Sequence, residues 1–282
     1  GREPALPALS SSLDQVHEAL SSMPDQASTA WWRARYAGGV PPLHLPWRSP
    51  THQPAQGPCD WQRRELGVEL TERLQAVAKD AGIGLPALVL AAYARCLFEA
   101  SGQPDVVVRV AHGRRGLRLP DADALVGSLA DSLPARMQVQ AHEPLVALAG
   151  RTQAELRDLQ THAAASSLAL AELAPRSGAG PVGLTPAGFS FPRLAAPDRM
   201  GELTLDRVHG ASASGFTRIG LVAWTFDGRL HCSWNFTHSH LDAPTVAGLA
   251  DRLEALLADC ASGRDHQPPL PTLHGRILAR CR

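Results

Sequence analysis

The chain has 282 residues, 27 of them basic and 27 acidic, so its formal net charge is zero; 44% of residues are hydrophobic and 19% charged. That balance supports a packed core in one large domain or two small ones and excludes a disordered chain. A zero net charge also excludes the strong overall positive field that a nucleic-acid binder uses.

Residues 1–9 are Pro-rich. Ser12-Leu13-Asp14-Gln15 reads as a capping box opening a short helix. A second helix is expected over 27–36, with Trp31 and Trp32 near its middle. Residues 38–60 carry several prolines and glycines and read as a long connection, of the kind that straps a surface or serves a function. A strand is predicted over 63–70, then a helix from Thr71 to Ala81. After Gly82 and Gly84 comes a helix over 85–100 that is apolar nearly all round, hence buried. Val106-Val107-Val108-Arg109-Val110 is a continuous run typical of a central strand. Another strand is predicted over 132–139 and an amphipathic helix over 144–162.

Residues 175–186 are rich in Gly, Pro and Ser and read as the main internal linker. Strands are expected at 187–192, 202–207 and 217–226. The clearest local signal is a hairpin: alternation over 219–226 stops at Asp227-Gly228 and resumes at Leu230, Cys232, Trp234 and Phe236. Asp-Gly supplies the positive φ angles of a type I′ turn. Asp242 caps a last helix with Pro244 in its first turn, and a Pro-rich tail follows Gly263. The order of elements implies an α/β fold, a mixed sheet with helices against it.

Lys79 is the only lysine, which fits a coding bias better than an arginine recognition surface. The five cysteines (Cys59, Cys96, Cys232, Cys260 and Cys281) are far apart, odd in number and form no CxxC. Neither a disulfide framework nor a zinc site is indicated, and a reducing, cytoplasmic setting is expected. No apolar run reaches membrane-spanning length and no charged-then-apolar leader opens the sequence, so no membrane partner is expected. Gly1 in place of Met suggests a fragment or a processed form.

Several segments together resemble the condensation domain of nonribosomal peptide synthetases. Val126-Gly127-Ser128-Leu129-Ala130-Asp131-Ser132-Leu133-Pro134-Ala135-Arg136 is similar, with the same spacing, to the family motif Ile-Gly-x-Phe-Val-Asn-Thr-Leu-x-x-Arg. Asp131 stands where Asn is usual and Ser132 where Thr is usual. Upstream, residues 88–93, Gly102-Gln103-Pro104-Asp105 with Val106-Val107-Val108, and Gly113-Arg114 resemble the family's helix, turn, strand and Gly-Arg. Trp32-Arg33 with Leu45-Pro46 resembles its Trp-bearing segment and Leu-Pro. Arg176-Ser177 to Pro181 is a weaker match, and only His162 survives of a His-Gln-Asp-Tyr-Pro-Phe-Glu motif. Residues 228–257 resemble the closing strand and helix.

The resemblance implies one chloramphenicol-acetyltransferase-like lobe, the C-terminal one of two that enclose a tunnel. It would span 27–262, after a partly helical lead-in at 1–26 and before the tail at 263–282. The family's catalytic His-His-x-x-x-Asp-Gly lies in the other lobe, and this sequence has no adjacent His pair. The implied partners are therefore an N-terminal lobe and carrier proteins, with no nucleic acid. No cofactor is bound directly: substrates arrive on phosphopantetheine arms and are joined through an amide or, less often, an ester.

Within that frame the expected site residues are structural or tunnel-lining. Arg114 is a candidate to hold the aspartate of the partner lobe's motif, since its planar fork suits a carboxylate. Asp131 loses a donor and gains a charge relative to Asn. Arg136 closes the same motif. Asn235 faces away from Trp234 and Phe236, either into the tunnel or onto a wet face. No catalytic residue is expected in this chain, with His238 and His240 as weak candidates. As neighbours at i and i+2 on a strand they would point the same way, against the simpler reading of surface histidines before a helix cap. Two rival functions follow: a non-catalytic carrier-protein docking module, or an independent acyltransferase using His238 or His240.

Overall fold

The computed structural model describes residues 8–21, 26–53, 56–113, 120–121, 124–127, 129–163, 170, 185–192, 199–204 and 217–264. Two helices open it, α1 (Leu13–Ser21) and α2 (Gln26–Tyr36). The capping box forms as expected: Ser12 N donates to Gln15 Oε1 at 2.8 Å and Gln15 N to Ser12 Oγ at 3.3 Å. Then follow β1 (Cys59–Leu66), α3 (Val68–Asp80), α4 (Leu85–Ser101), β2 (Asp105–His112), β3 (Asp131–Gln138) and α5 (Leu145–Thr161). The second half holds β4 (Ala187–Ser190), β5 (Arg199–Met200), β6 (Leu203–Thr204), β7 (Ile219–Phe226), β8 (Arg229–Thr237) and α6 (Ala243–Ala261).

Six strands form one mixed sheet in the order β1-β8-β7-β4-β2-β3. The two inner pairings, β7 with β4 and β4 with β2, are parallel; the outer ones are antiparallel. β5 and β6 make a separate two-residue ladder. The hairpin turn has φ 47° at Asp227 and 70° at Gly228, both in the left-handed region, so the Asp-Gly pair sits where positive φ is required.

Alternation along the strands divides the sheet into two faces. Ala187, Phe189, Ile219, Leu221, Ala223, Cys232, Trp234 and Phe236 face the helices and belong to the main core with Val106, Val108, Leu133 and Ala135. α4 lies at the centre of the helix layer, against α5 and α6, and residues 88–94 along it are at most 1% exposed. Each such Leu or Val contributes ~1.5–3 kcal/mol by leaving water. The Glu99 carboxylate on α4, also buried, takes both Arg252 Nε at 2.6 Å and Nη2 at 2.9 Å from α6.

β1 differs from its sequence-based limits: it begins at Cys59 and ends at Leu66, because pairing with β8 runs from Cys59–Thr237 to Leu66–Leu230. α3 likewise starts earlier, at Val68, after an extended Gly67. Thr71 does not open it; its hydroxyl bonds Leu66 O and Gly67 O and accepts from Leu230 N, joining the helix to β8. The strand expected at 202–207 is described only at Leu203–Thr204. The Gly/Pro/Ser linker falls outside the described residues except at 185 and 186.

Candidate functional site

Among the described residues the core helices pack on one face of the sheet; the other carries Trp224 stacked on His231 at one end and, towards its middle, small and polar side chains. A cavity of about 380 Å³ opens on it. Its wall includes Arg109 and Ala111 of β2, Asp131 and Ser132 of β3, Gly188 and Ser190 of β4, Gly220 and Val222 of β7, and Asn235 of β8, with Thr217 beside them. The parity of the strands explains the membership. Arg109 pairs with Gly188, Gly188 with Gly220, and Gly220 with Asn235, and paired residues share a face.

Arg109 brings a guanidinium to this wall, and its Nη2 donates to Thr217 Oγ1. Burial lowers the Arg109 pKa, the nearby Arg218 charge lowers it further, and Asp131 acts in the opposite sense. Asp131 lines the same wall, and its Oδ1 accepts from Ser132 N at 2.8 Å. Arg109, Thr217 and Ser190 were not singled out from the sequence. For Arg109 the signal is the parity of the Val106–Val110 run, which puts it on the face opposite Val106 and Val108.

Two of the four tunnel candidates, Asp131 and Asn235, meet in this wall. Arg136 lies elsewhere. Its guanidinium forks onto Asp105 at 3.0 and 2.6 Å and donates to Arg35 O and Gly39 O, tying β3 to β2 and to the end of α2. Arg114 lies outside the described residues.

His238 and His240 are not side by side as an i, i+2 pair on a strand would be. β8 stops at Thr237, and the chain turns with His240 N and Leu241 N bonded to Thr237 O. The His238 side chain is 44% exposed and its Nε2 meets Asp60 at 2.9 Å, whereas His240 is fully buried. His240 Nε2 donates to Pro50 O at 3.3 Å, while Nδ1 accepts from the Thr237 and Ser239 hydroxyls at 3.1 and 3.0 Å. Burial, with the Arg218 charge next, lowers its pKa below the ordinary 6.5 and favours the neutral ring. Arg218 bonds Thr51 O and Gln53 O, so Arg218 and His240 together moor the strap around residues 48–53. His162 is structural too: it stacks on Trp31 at 4.4 Å, and its backbone oxygen accepts from Trp32 Nε1 at 2.9 Å.

Among the described residues no cluster of three or more His, Cys, Asp or Glu side chains could hold a metal ion, and no single helix is long and apolar enough to cross a membrane.

Comparison with known proteins places this geometry. The family model of the condensation domain matches residues 14–268. Tyrocidine synthase 2 of Brevibacillus parabrevis is 35% identical over 116 residues, which is 40% of this chain and 3% of that protein. A linear gramicidin synthase protein of the same organism is 31% identical over 120 residues, 42% of this chain and 2% of that protein. The chain therefore spans a few per cent of these relatives' length. Among solved structures, the first condensation domain of the CDA synthetase superposes with a TM-score of 0.76 at 20% identity, covering 95% of this chain and 59% of that one. The EpoB cyclization-docking bidomain from Sorangium cellulosum gives a TM-score of 0.76 at 17% identity, over 92% of this chain and 54% of that one. At such identities the structural likeness speaks for the fold.

Proposed function

The chain belongs to the condensation-domain family of nonribosomal peptide synthetases, and from that premise we propose that it is the C-terminal lobe of such a domain. Condensation domains of these synthetases serve peptide-bond formation and work with carrier-protein and adjacent domains. In the proposed reading this lobe supplies one wall of the tunnel, and a lobe with the His-His-x-x-x-Asp-Gly motif supplies the other. Acyl and aminoacyl thioesters arrive on phosphopantetheine arms of carrier proteins. A cytoplasmic setting is part of the same proposal.

The observation that carries the reading is the cavity on the sheet face opposite the core helices, walled in part by Asp131 and Ser132 of the motif whose spacing matches the family. In the reaction the acceptor nitrogen attacks the thioester carbonyl; a C–N bond forms, the C–S bond breaks, and the proton lost by nitrogen ends on the departing sulfur. Holding both groups at attack distance supplies a large part of the rate. Proton handling at the nitrogen belongs to the histidine of the other lobe. Asp131 and Arg109 line the same wall, and the Asp131 charge acts on Arg109 in the sense that favours its charged form.

The test is a mixture of this chain with donor and acceptor carrier proteins bearing model thioesters, with and without a matching N-terminal lobe, followed by intact-protein mass spectrometry. Condensed product is expected only when the lobe is present. Product from the chain alone would overturn the reading and return attention to His238 and its Asp60 partner.

A further inference from the structure

Every residue of the strap over 48–53 is half-buried or exposed, so little apolar burial holds it down. Polar contacts do, and they converge on two neighbouring places. Arg48 N donates to His240 O at 2.9 Å, and His240 Nε2 donates to Pro50 O at 3.3 Å. Arg218 donates from Nε to Thr51 O at 3.1 Å and from Nη2 to Gln53 O at 2.7 Å. Beyond the strap, Gln56 N donates to Ser239 Oγ at 3.2 Å, and that hydroxyl donates in turn to His240 Nδ1 at 3.0 Å. Both anchors, Arg218 and His240, are buried beneath a segment that is not.

This arrangement depends on a neutral ring. The Thr237 and Ser239 hydroxyls donate to Nδ1; once Nδ1 carries a proton, both meet a donor instead of an acceptor. A second positive charge is then buried beside the Arg218 guanidinium, and burial and a like charge both oppose it. The same two causes hold the ring pKa below the ordinary 6.5. Of the other charged groups on the elements around the ring, Arg48 and His52 of the strap are exposed, His238 meets Asp60, and Asp242 caps α6 at Thr245 N. Lifting the strap lets water reach the imidazolium, which relieves both costs.

Arg218 also links the strap to the cavity. Its backbone N donates to Pro186 O at 2.8 Å, and it directly follows Thr217, a wall residue whose Oγ1 accepts from Arg109. A Cβ at Gly188 would lie 3.1 Å, and at Gly220 3.3 Å, from Thr217 Cγ2. The Thr217 methyl thus fills the gap over both glycines, and one residue further on the chain reaches out to the strap. We propose that the strap over residues 48–53 is a proton-released fastening: protonation of His240 frees it, and the freed Arg218 loosens Thr217 in the cavity wall. This device belongs to the fold of the chain and does not rest on the condensation reading.

The experiment is amide hydrogen exchange of the full chain at two pH values, about 7.5 and 5.5, read by peptide mass spectrometry and corrected for the intrinsic effect of pH. With the strap lifted, His240 takes up a proton at its ordinary pKa, so opening is favoured as pH falls below that value. Protection of the Arg48, Gln53 and Gln56 amides is expected to fall about three- to tenfold between the two pH values, and that of the Arg218 and Ile219 amides with it. Amides within α4 should keep theirs, because the release is local. In His240→Gln, which keeps an N–H but does not titrate, strap protection should be the same at both. The two-pH comparison on the unaltered chain stands even where the variant misfolds. Unchanged strap protection in the unaltered chain, a fall shared equally by α4, or a fall that persists in His240→Gln would overturn the proposal. Release of the strap with Arg218 and Ile219 still protected would overturn its link to the cavity.

Discussion

Arg136 and His240 show how a motif residue and a suspected catalytic residue can both prove to be fastenings. The Arg136 fork reaches the Asp105 carboxylate and two backbone oxygens at the end of α2. A lysine offers a single point charge and cannot make all these contacts. Arg136→Lys is therefore expected to lower stability by about 2 kcal/mol, read from urea unfolding. His240 titrates in the opposite sense to an ion-paired histidine. Its folded-state pKa is depressed by burial and by Arg218, so below the ordinary value of 6.5 the unfolded chain binds the proton more readily than the folded one. Its contribution is present above that value and is lost as pH falls through the interval down to the depressed pKa. The thermal midpoint should thus fall between about pH 7.5 and 5.5, and Asn or Gln at position 240 should flatten that fall. A histidine acting as an exposed base would give no such difference. The sequence alone placed Asn235 on the face opposite Trp234 and Phe236, because parity along a strand is enough for that. It did not separate His238 from His240, because the strand ends at Thr237 and the chain turns there with His240 N and Leu241 N on Thr237 O.

At the level of elements, the parts with a local cause were legible. The capping box, the Asp-Gly hairpin and the α6 cap each rest on residues within four positions of one another. Asp242 Oδ1 accepts from Thr245 N at 2.8 Å, and Asp242→Ala should cost about 1 kcal/mol of stability without changing carrier-dependent activity. Gly228 sits at φ 70° with Val68 3.5 Å from where a Cβ would be. Gly228→Ala should therefore lower stability by about 1–2 kcal/mol through backbone strain, measured by thermal unfolding. The start of β1 and the role of Thr71 were not legible, since both are set by β8, more than 150 residues away in sequence. Arg109 was missed for a related reason. A run of valines reads as a core strand, and only the pairing of β2 with β4 shows that its one charged member faces a cavity.

For the whole molecule, the sheet separates two tasks. Its apolar face, with α3 to α6, makes the core and accounts for stability. Its other face buries Trp224 against His231 at one end and keeps glycines and polar side chains around a cavity, which fits a binding surface there. The family resemblance could be read from five spaced motifs, but the cavity could not, because its wall draws on five strands that only the fold assembles. In the proposed reading, substrate passes across this face. Ala111→Trp tests it most directly, since Ala111 lines the cavity and is exposed, so a large side chain there would fill the cavity without entering the core. Single-turnover condensation by the chain together with its N-terminal lobe should fall at least about tenfold, with thermal stability nearly unchanged. Full activity in a folded Ala111→Trp variant would contradict that reading.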